Sequence, residues 1–310
     1  MRAAFVRALL ERARADRRVV LLTGDIGFGV VEEFATALPD RFVNAGVAEQ
    51  NMIAVATGLA ASGLRPFVYS IAPFVSARPY EALRNGPALH RLPVRVVGVG
   101  GGFDYGAAGF THHAFDDIAL MRALPGFSTI APASDQEAVE ALHATWDTAG
   151  PVYFRLAKDP APPAALGPNT PPYSQGEPRR LREGDELVLV ATGRLVVEAC
   201  AAAVELAQRG RSVGVVHVPR LAPLDGGELD RALGDAALVI TVEDHAVSGG
   251  LGTLVSEVVA SGRHVRRVIR CGMDDPRRTN GASPALLRAC QLDAAGLAAT
   301  ALRALETQPT

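Results

Sequence analysis

The run Arg41-Phe42-Val43-Asn44-Ala45-Gly46-Val47-Ala48-Glu49-Gln50-Asn51 governs how the rest of the chain is read. Arg41 to Val43 predicts a short strand, and Met52 to Ala61 predicts a small-residue helix ending at Gly63. Glu49 is thereby offered at a strand-to-helix transition, the edge where parallel sheets collect their ligands. Two readings of it stand: an acid that works in a crevice, or a carboxylate favoured by the positive end of a helix.

Outward from that transition, Val19 to Leu22, Pro66 to Tyr69, Val94 to Val99, Ser128 to Ala131 and Val152 to Phe154 are strand-like apolar runs separated by segments long enough for crossover helices. Strands that are apolar throughout belong to a parallel sheet covered on both faces. Between Asp159 and Asp185 the pattern breaks, with Pro160, Pro162, Pro163, Pro168, Pro171, Pro172 and Pro178 among few apolar residues, which predicts an extended, semi-rigid linker. Strands at Leu187 to Ala191, Ser212 to His217, Ala237 to Val242 and Val265 to Ile269 then alternate with helices at Val196 to Gln208, Gly226 to Leu233 and Leu251 to Ser261, and Leu297 to Leu305 predicts a closing helix. The expected architecture is α/β: two doubly wound domains, 1–158 and 186–310, joined by a proline-rich linker, 159–185.

The 310 residues suffice for two domains with separate cores, and a formal net charge of −2 gives no basis for a nucleic-acid or membrane surface. Cys200, Cys271 and Cys290 are odd in number and widely spaced, which fits neither a disulfide framework nor a zinc site and suits a reducing cytoplasm. The basic, apolar start of the chain is interrupted by Glu11, Arg12, Arg14, Asp16 and Arg17 at helical spacing, so it reads as an amphipathic helix rather than a signal sequence.

Further pieces stand after successive strands and so face the same crevice as Glu49. The segment Tyr69 to Arg78 delivers Phe74 and, four residues on, Arg78 on one helical face; a glycine-dense run, Gly98 to Gly109, leads into Phe110-Thr111-His112-His113-Ala114-Phe115-Asp116-Asp117; and Val152 to Arg155 ends in a cation. Taken singly, each has a plain structural reading: core aromatic, incidental histidine pair, salt-bridging arginine. Gly98-Val99-Gly100-Gly101-Gly102 is no dinucleotide fingerprint, and there is no P-loop. Gly24-Asp25 and Asn51 only imitate a magnesium-diphosphate signature, because position 26 is Ile and Asn51 falls in the helix bearing Glu49. His112 and His113 lack a third ligand at useful spacing, so no metal site is expected in this chain.

The run RFVNAGVAEQNMIAVATGLAASGLRPFVYSIAPF, followed by THHAFDD, ALPGF, APASDQEA and VEDHAVSGGLG, resembles transketolases over nearly the whole chain. The resemblance covers only a thiamine-pyrimidine-binding domain and a transketolase C-terminal-like domain; the diphosphate-binding domain with its magnesium motif has no counterpart here. It therefore implies the smaller subunit of a split transketolase. In this family a Glu, here Glu49, hydrogen-bonds N1′ of the aminopyrimidine and favours the tautomer that takes a proton from thiazolium C2. By the same resemblance, Phe74 stacks on the pyrimidine, Tyr69 and Arg78 neighbour it, His112 approaches substrate and cofactor amine, and Arg2, Thr23 and Arg155 meet a substrate phosphate. His113 and Asp117 are expected to fix the following helix.

The implied cofactors are thiamine diphosphate and Mg2+, the diphosphate and metal held mainly by a partner subunit. The implied assembly is an α2β2 heterotetramer around a homodimer core, cytoplasmic, acting on a sugar or sugar phosphate and transferring a two-carbon ketol unit. The sequence departs from the family where Gly100 replaces a phosphate-contacting His, Ala108 an Asp, Ile71 and Ala77 pocket aromatics, and Phe110 a Pro, which predicts a roomier, less polar acceptor side. Three rivals remain: the beta subunit of a 2-oxoacid dehydrogenase, a 1-deoxyxylulose-5-phosphate synthase, and a non-catalytic scaffold subunit. In the second domain, Glu243-Asp244-His245 before Ser248-Gly249-Gly250-Leu251-Gly252 invites an anion-binding reading, and a packing role is favoured over it.

Overall fold

The computed structural model describes residues 1–159, 172–262, 264–275, 277 and 280–307. The first half runs α1 (Arg2–Ala15), β1 (Val19–Thr23), α2 (Glu32–Ala37), β2 (Phe42–Asn44), α3 (Glu49–Ala61), β3 (Arg65–Ile71), α4 (Ala72–Ala77), α5 (Tyr80–Leu83), β4 (Arg95–Val99), α6 (Asp117–Arg122), β5 (Ser128–Ile130), α7 (Asp135–Ala144) and β6 (Val152–Leu156). The second runs β7 (Arg179–Arg182), β8 (Leu187–Ala191), α8 (Val196–Gln208), β9 (Val213–His217), β10 (Arg220–Ala222), α9 (Gly226–Leu233), β11 (Leu238–Ala246), α10 (Leu251–Ser261), β12 (Arg267–Met273), α11 (Ser283–Ala289) and α12 (Ala294–Glu306).

The strands form two sheets, ordered β10-β5-β6-β4-β3-β1-β2 and β12-β11-β8-β9-β7. Every pairing is parallel except β10 on β5 and β7 on β9. Both sheets are covered on two faces, as the continuous apolar strands require. On the first sheet, Leu21, Phe67 and Val97 pack with Phe5 and Leu9 of α1, while Leu22, Val68 and Val96 pack with Met52, Ile53 and Ala56 of α3. Residue alternation along each strand decides which side chains share a face, a point that matters for the site.

The elements differ from the sequence expectation in two ways. Within the span expected as linker, Arg179–Arg182 is a strand whose arginine backbone pairs antiparallel with β9; Pro160 to Pro171 lie outside the described residues. The three-residue β10, too short to carry a periodic signal, leaves the second half of the chain to complete the first sheet against β5.

Candidate active site

Glu49 is the first residue of α3, yet its carboxylate does not serve its own helix. It is 3% exposed and accepts from Arg78 Nη1 at 3.0 Å and from Ser70 Oγ at 3.3 Å. Ser70 lies two residues after Val68, on the α3 face of β3, so strand alternation aims it at Glu49. The end of β3 turns directly into α4 with Pro73 in its first turn, which suits a proline because the missing N–H is unneeded there. Phe74 and Arg78 then stand one turn apart, and the Arg78 guanidinium carbon lies 4.0 Å from the Phe74 ring centroid. His112 meets the same ring edge-on at 5.0 Å between centroids, and its Nδ1 pairs with Thr111 Oγ1 at 2.9 Å. Phe74, Arg78, Phe110 and His112 border a cleft of ≈ 400 Å³. Four of the expected site residues, Glu49, Phe74, Arg78 and His112, thus converge.

Three of the others fall elsewhere, and their expectations are corrected. Tyr69 precedes Ser70 and therefore points to the opposite face of the sheet, into the α1 core. Burial raises its hydroxyl pKa, against which the nearby Arg2 charge acts. Thr23 is buried, and its hydroxyl donates to Ile26 O at 2.7 Å, leaving it a loop anchor rather than a substrate contact. Arg155 is 4% exposed and fully engaged inside the protein. Its Nε donates to Asp117 Oδ2 at 2.9 Å, Nη1 to Asp244 Oδ1 at 2.6 Å, and Nη2 to the carbonyls of Ala114 and Asp244, each at 3.0 Å. Burial opposes its charge, and the carboxylates of Asp117 and Asp244 more than offset this, so its pKa is raised. Four hydrogen bonds inside the protein and its burial withdraw Arg155 from a substrate phosphate.

The accessible cation beyond β6 is Lys158, which the sequence reading missed. Its ammonium sits 5.2 Å from the Tyr105 ring centroid, and its backbone N–H donates to Asp104 at 2.7 Å. Tyr105 was missed too, inside the glycine run. Its ring lies 6.3 Å from that of His112, and burial raises its hydroxyl pKa while Arg2 again opposes. Tyr105 also overturns the expectation of a roomier acceptor side: its ring fills the space into which a side chain at Gly100 would project.

The remaining motifs resolve structurally. Asp25 pairs with Asn44, whose Nδ2 donates to it at 2.9 Å, while Asn51 is exposed on α3. Asp117 bonds Tyr153 and Arg155 instead of capping α6, and His113 packs edge-on against Phe103 at 5.0 Å. Glu243 accepts from Leu251 N at 2.6 Å and Gly252 N at 2.7 Å, so the N-terminus of α10 is already filled by a carboxylate of the protein. Among the described residues no group of three or more His, Cys, Asp or Glu could hold a metal ion, and no helix is long and apolar enough to cross a membrane.

Together, these features define a class of protein: two parallel α/β domains in which neighbouring strand ends offer a buried carboxylate, an aromatic platform and a histidine to a flat nitrogen-bearing group. Arg78 links two of these groups, its guanidinium lying over the Phe74 ring and donating to Glu49. Residues 1–163 match the family model of the transketolase pyrimidine-binding domain, and residues 176–297 that of the transketolase C-terminal domain. The chain belongs to the transketolase family, as its pyrimidine-binding and C-terminal half. It is 33% identical over 299 residues to a putative transketolase C-terminal section of Methanocaldococcus jannaschii, covering 96% of this chain and 94% of that one. A subunit of the apulose-4-phosphate transketolase of Phocaeicola vulgatus is 33% identical over 302 residues, 97% of this chain and 96% of that one. A solved split-gene transketolase, described as an inactive beta4 tetramer, superposes with a TM-score of 0.86 at 31% identity, covering 99% of this chain and 98% of that one.

Proposed function

We propose that this chain is the subunit of a thiamine-diphosphate-dependent transketolase that carries the pyrimidine site, moving a two-carbon ketol unit from a ketose or ketose phosphate to an aldehyde. The supporting observation is the buried Glu49 carboxylate bonded to Arg78, a flat cation whose guanidinium lies over the Phe74 ring. Bound in that slot, thiamine diphosphate supplies the electron sink for breaking and remaking the carbon–carbon bond. Glu49 would hold a proton against the ring nitrogen N1′, and Phe74 would fix the ring plane. Burial excludes water from the carboxylate, which strengthens that hydrogen bond. His112, edge-on to Phe74, would donate to the oxygen of the transferred unit. Lys158 and Arg2, beside Tyr105, take over the substrate-facing charge that Arg155 cannot supply.

On this reading a partner subunit holds the diphosphate and Mg2+, and the complex is an α2β2 heterotetramer in the cytoplasm. Residues 1–158 form the pyrimidine-binding unit and 186–310 the C-terminal unit. The test is reconstitution with a partner that carries a transketolase diphosphate domain. Glu49→Gln is expected to lower turnover by about 10²- to 10⁴-fold, the usual worth of a positioned acid or base, without lowering Tm. Turnover by the isolated chain, or undiminished turnover of the Glu49→Gln complex, sinks the proposal. Pyruvate decarboxylation in place of ketol transfer would favour the dehydrogenase or deoxyxylulose-phosphate reading.

A further inference from the structure

The Glu243-Asp244-His245 run of the second domain is absorbed by neither the cleft nor the cofactor, yet Asp244 touches the base of the loop that carries His112. That loop leaves the first sheet after β4 and closes on itself through an antiparallel bridge between Gly102 and Ala114, with Gly102 N donating to Ala114 O at 3.2 Å and Ala114 N to Gly102 O at 3.0 Å. Tyr105, Phe110 and His112 all lie within it. Beneath the bridge sits Arg155, which donates to Ala114 O at 3.0 Å and to Asp244 Oδ1 at 2.6 Å.

The glycines at this point are explained by the same contact. A side chain at Gly101 would place its Cβ 2.7 Å from the Arg155 guanidinium carbon. Gly102 has φ +59°, and a Cβ there would collide with the Asp244 carboxylate. Just beyond the loop, Phe115 O accepts from Ala246 N at 2.8 Å, and His245 Nε2 accepts from Ala119 N at 3.3 Å. Both ends of the segment around His112 are therefore seated on β11 of the other domain.

We infer that Asp244, through Arg155, is a positioning residue for His112: the second domain sets the geometry of the catalytic loop across the domain boundary. A buried, hydrogen-bonded ion pair has two functions available here, holding the domains together or holding the loop, and these predict different things. If only domain docking matters, any broken contact across the same boundary is equivalent. A suitable comparator is Glu137 of α7, which pairs with His217 of β9 at 2.9 Å and with Arg179 of β7, and whose other bond goes to Ala133 rather than to the 102–114 loop. If the loop matters, only the Asp244 and Arg155 variants disturb His112.

The inference rests on the reading of His112 as a group that meets the substrate, and the experiment separates the two. The full chain is labelled with 15N-histidine, and the His112 ring resonance is identified by its loss in His112→Asn. Asp244→Asn is expected to shift that resonance and, in the two-subunit complex, to lower kcat about tenfold or more while donor KM stays within about twofold, because small displacements of a catalytic group are costly. Glu137→Gln is expected to leave both unchanged. Should Asp244→Asn fail to fold, Arg155→Lys keeps the positive charge, loses the fork to Ala114 and Asp244, and is expected to shift the resonance likewise. An unmoved resonance in Asp244→Asn or Arg155→Lys, or an equal shift in Glu137→Gln, overturns the inference. Undiminished turnover of His112→Asn would instead overturn the function given to His112, with the resonance shifts still reporting on the clamp.

Discussion

On the function proposed above, cofactor binding displaces Arg78. Its guanidinium lies on Phe74 and bonds Glu49, the two groups on which a pyrimidine ring would stack and hydrogen-bond. The cost of displacing it can be worked from its surroundings. The Arg78 side chain is 47% exposed, so its pairing with Glu49 is screened and contributes about 1 kcal/mol or less. The stacking adds roughly 0.5 to 1 kcal/mol for a partly exposed cation over a ring. The sum, about 0.5 to 2 kcal/mol, corresponds to roughly two- to thirtyfold in Kd. Removing Arg78 also leaves the buried Glu49 carboxylate without its ionic partner, which raises the free energy of the empty site and acts in the same direction.

Arg78→Gln is therefore expected to tighten thiamine diphosphate binding about tenfold. Calorimetric titration of the magnesium-containing two-subunit complex measures it directly, and Phe74→Leu, which removes the platform, is expected to weaken binding. The opposite result for Arg78→Gln, a weaker complex, would refute the reasoning. It would mean that the guanidinium swings onto the bound cofactor and holds it, a ligand rather than an occupant.

Other outcomes follow from the packing. Gly100→Ala, at φ +83° and against the Tyr105 ring, is expected to lower stability by about 1 to 3 kcal/mol in urea unfolding, and adding Tyr105→Ala should recover only the part due to the collision. Glu243→Gln weakens two hydrogen bonds at the start of α10 and is expected to cost roughly 1 to 2 kcal/mol of stability, with turnover of the folded complex kept. Burial pushes the Cys200 and Cys271 thiols up to about 11 from an ordinary 9.0. The unfolded chain therefore releases these protons first, so stability is full below pH 9 and declines as pH rises toward 11. At pH 8 a thiolate-selective reagent should label both slowly in native protein and quickly in denaturant.

Much of this was legible in the chain. Continuous apolar strands announced covered parallel sheets, and strand-end placement grouped the segments that carry Glu49, Phe74 and His112 with that of Arg155, while the resemblance to transketolases supplied the individual roles. Tyr69 was misassigned against a signal that existed: it neighbours Ser70 on a strand, and adjacent strand residues cannot share a face. Arg155 is not the end of β6, which continues to Leu156; alternation puts it on the face of Tyr153, where both side chains bond the buried Asp117. Tyr105 carried no periodic signal, because its place depends on the absence of a side chain at Gly100. The Arg155 to Asp244 pair spans 89 residues, beyond the reach of any local pattern.

That pair changes how the two domains should be understood. The first sheet is completed by β10 from the second half of the chain, and Arg155 in its interior has one carboxylate from its own domain and one from the other. Removing Arg155 would strand two buried carboxylates, typically at a cost of about 3 to 5 kcal/mol, a large part of an ordinary domain's stability. A boundary drawn between residues 158 and 186 therefore separates neither the two sheets nor two independent units. The pyrimidine site is held in shape by residues on both sides of it: Glu49 and Phe74 by their own sheet, and the His112 loop by a strand that the sequence assigns to the other domain.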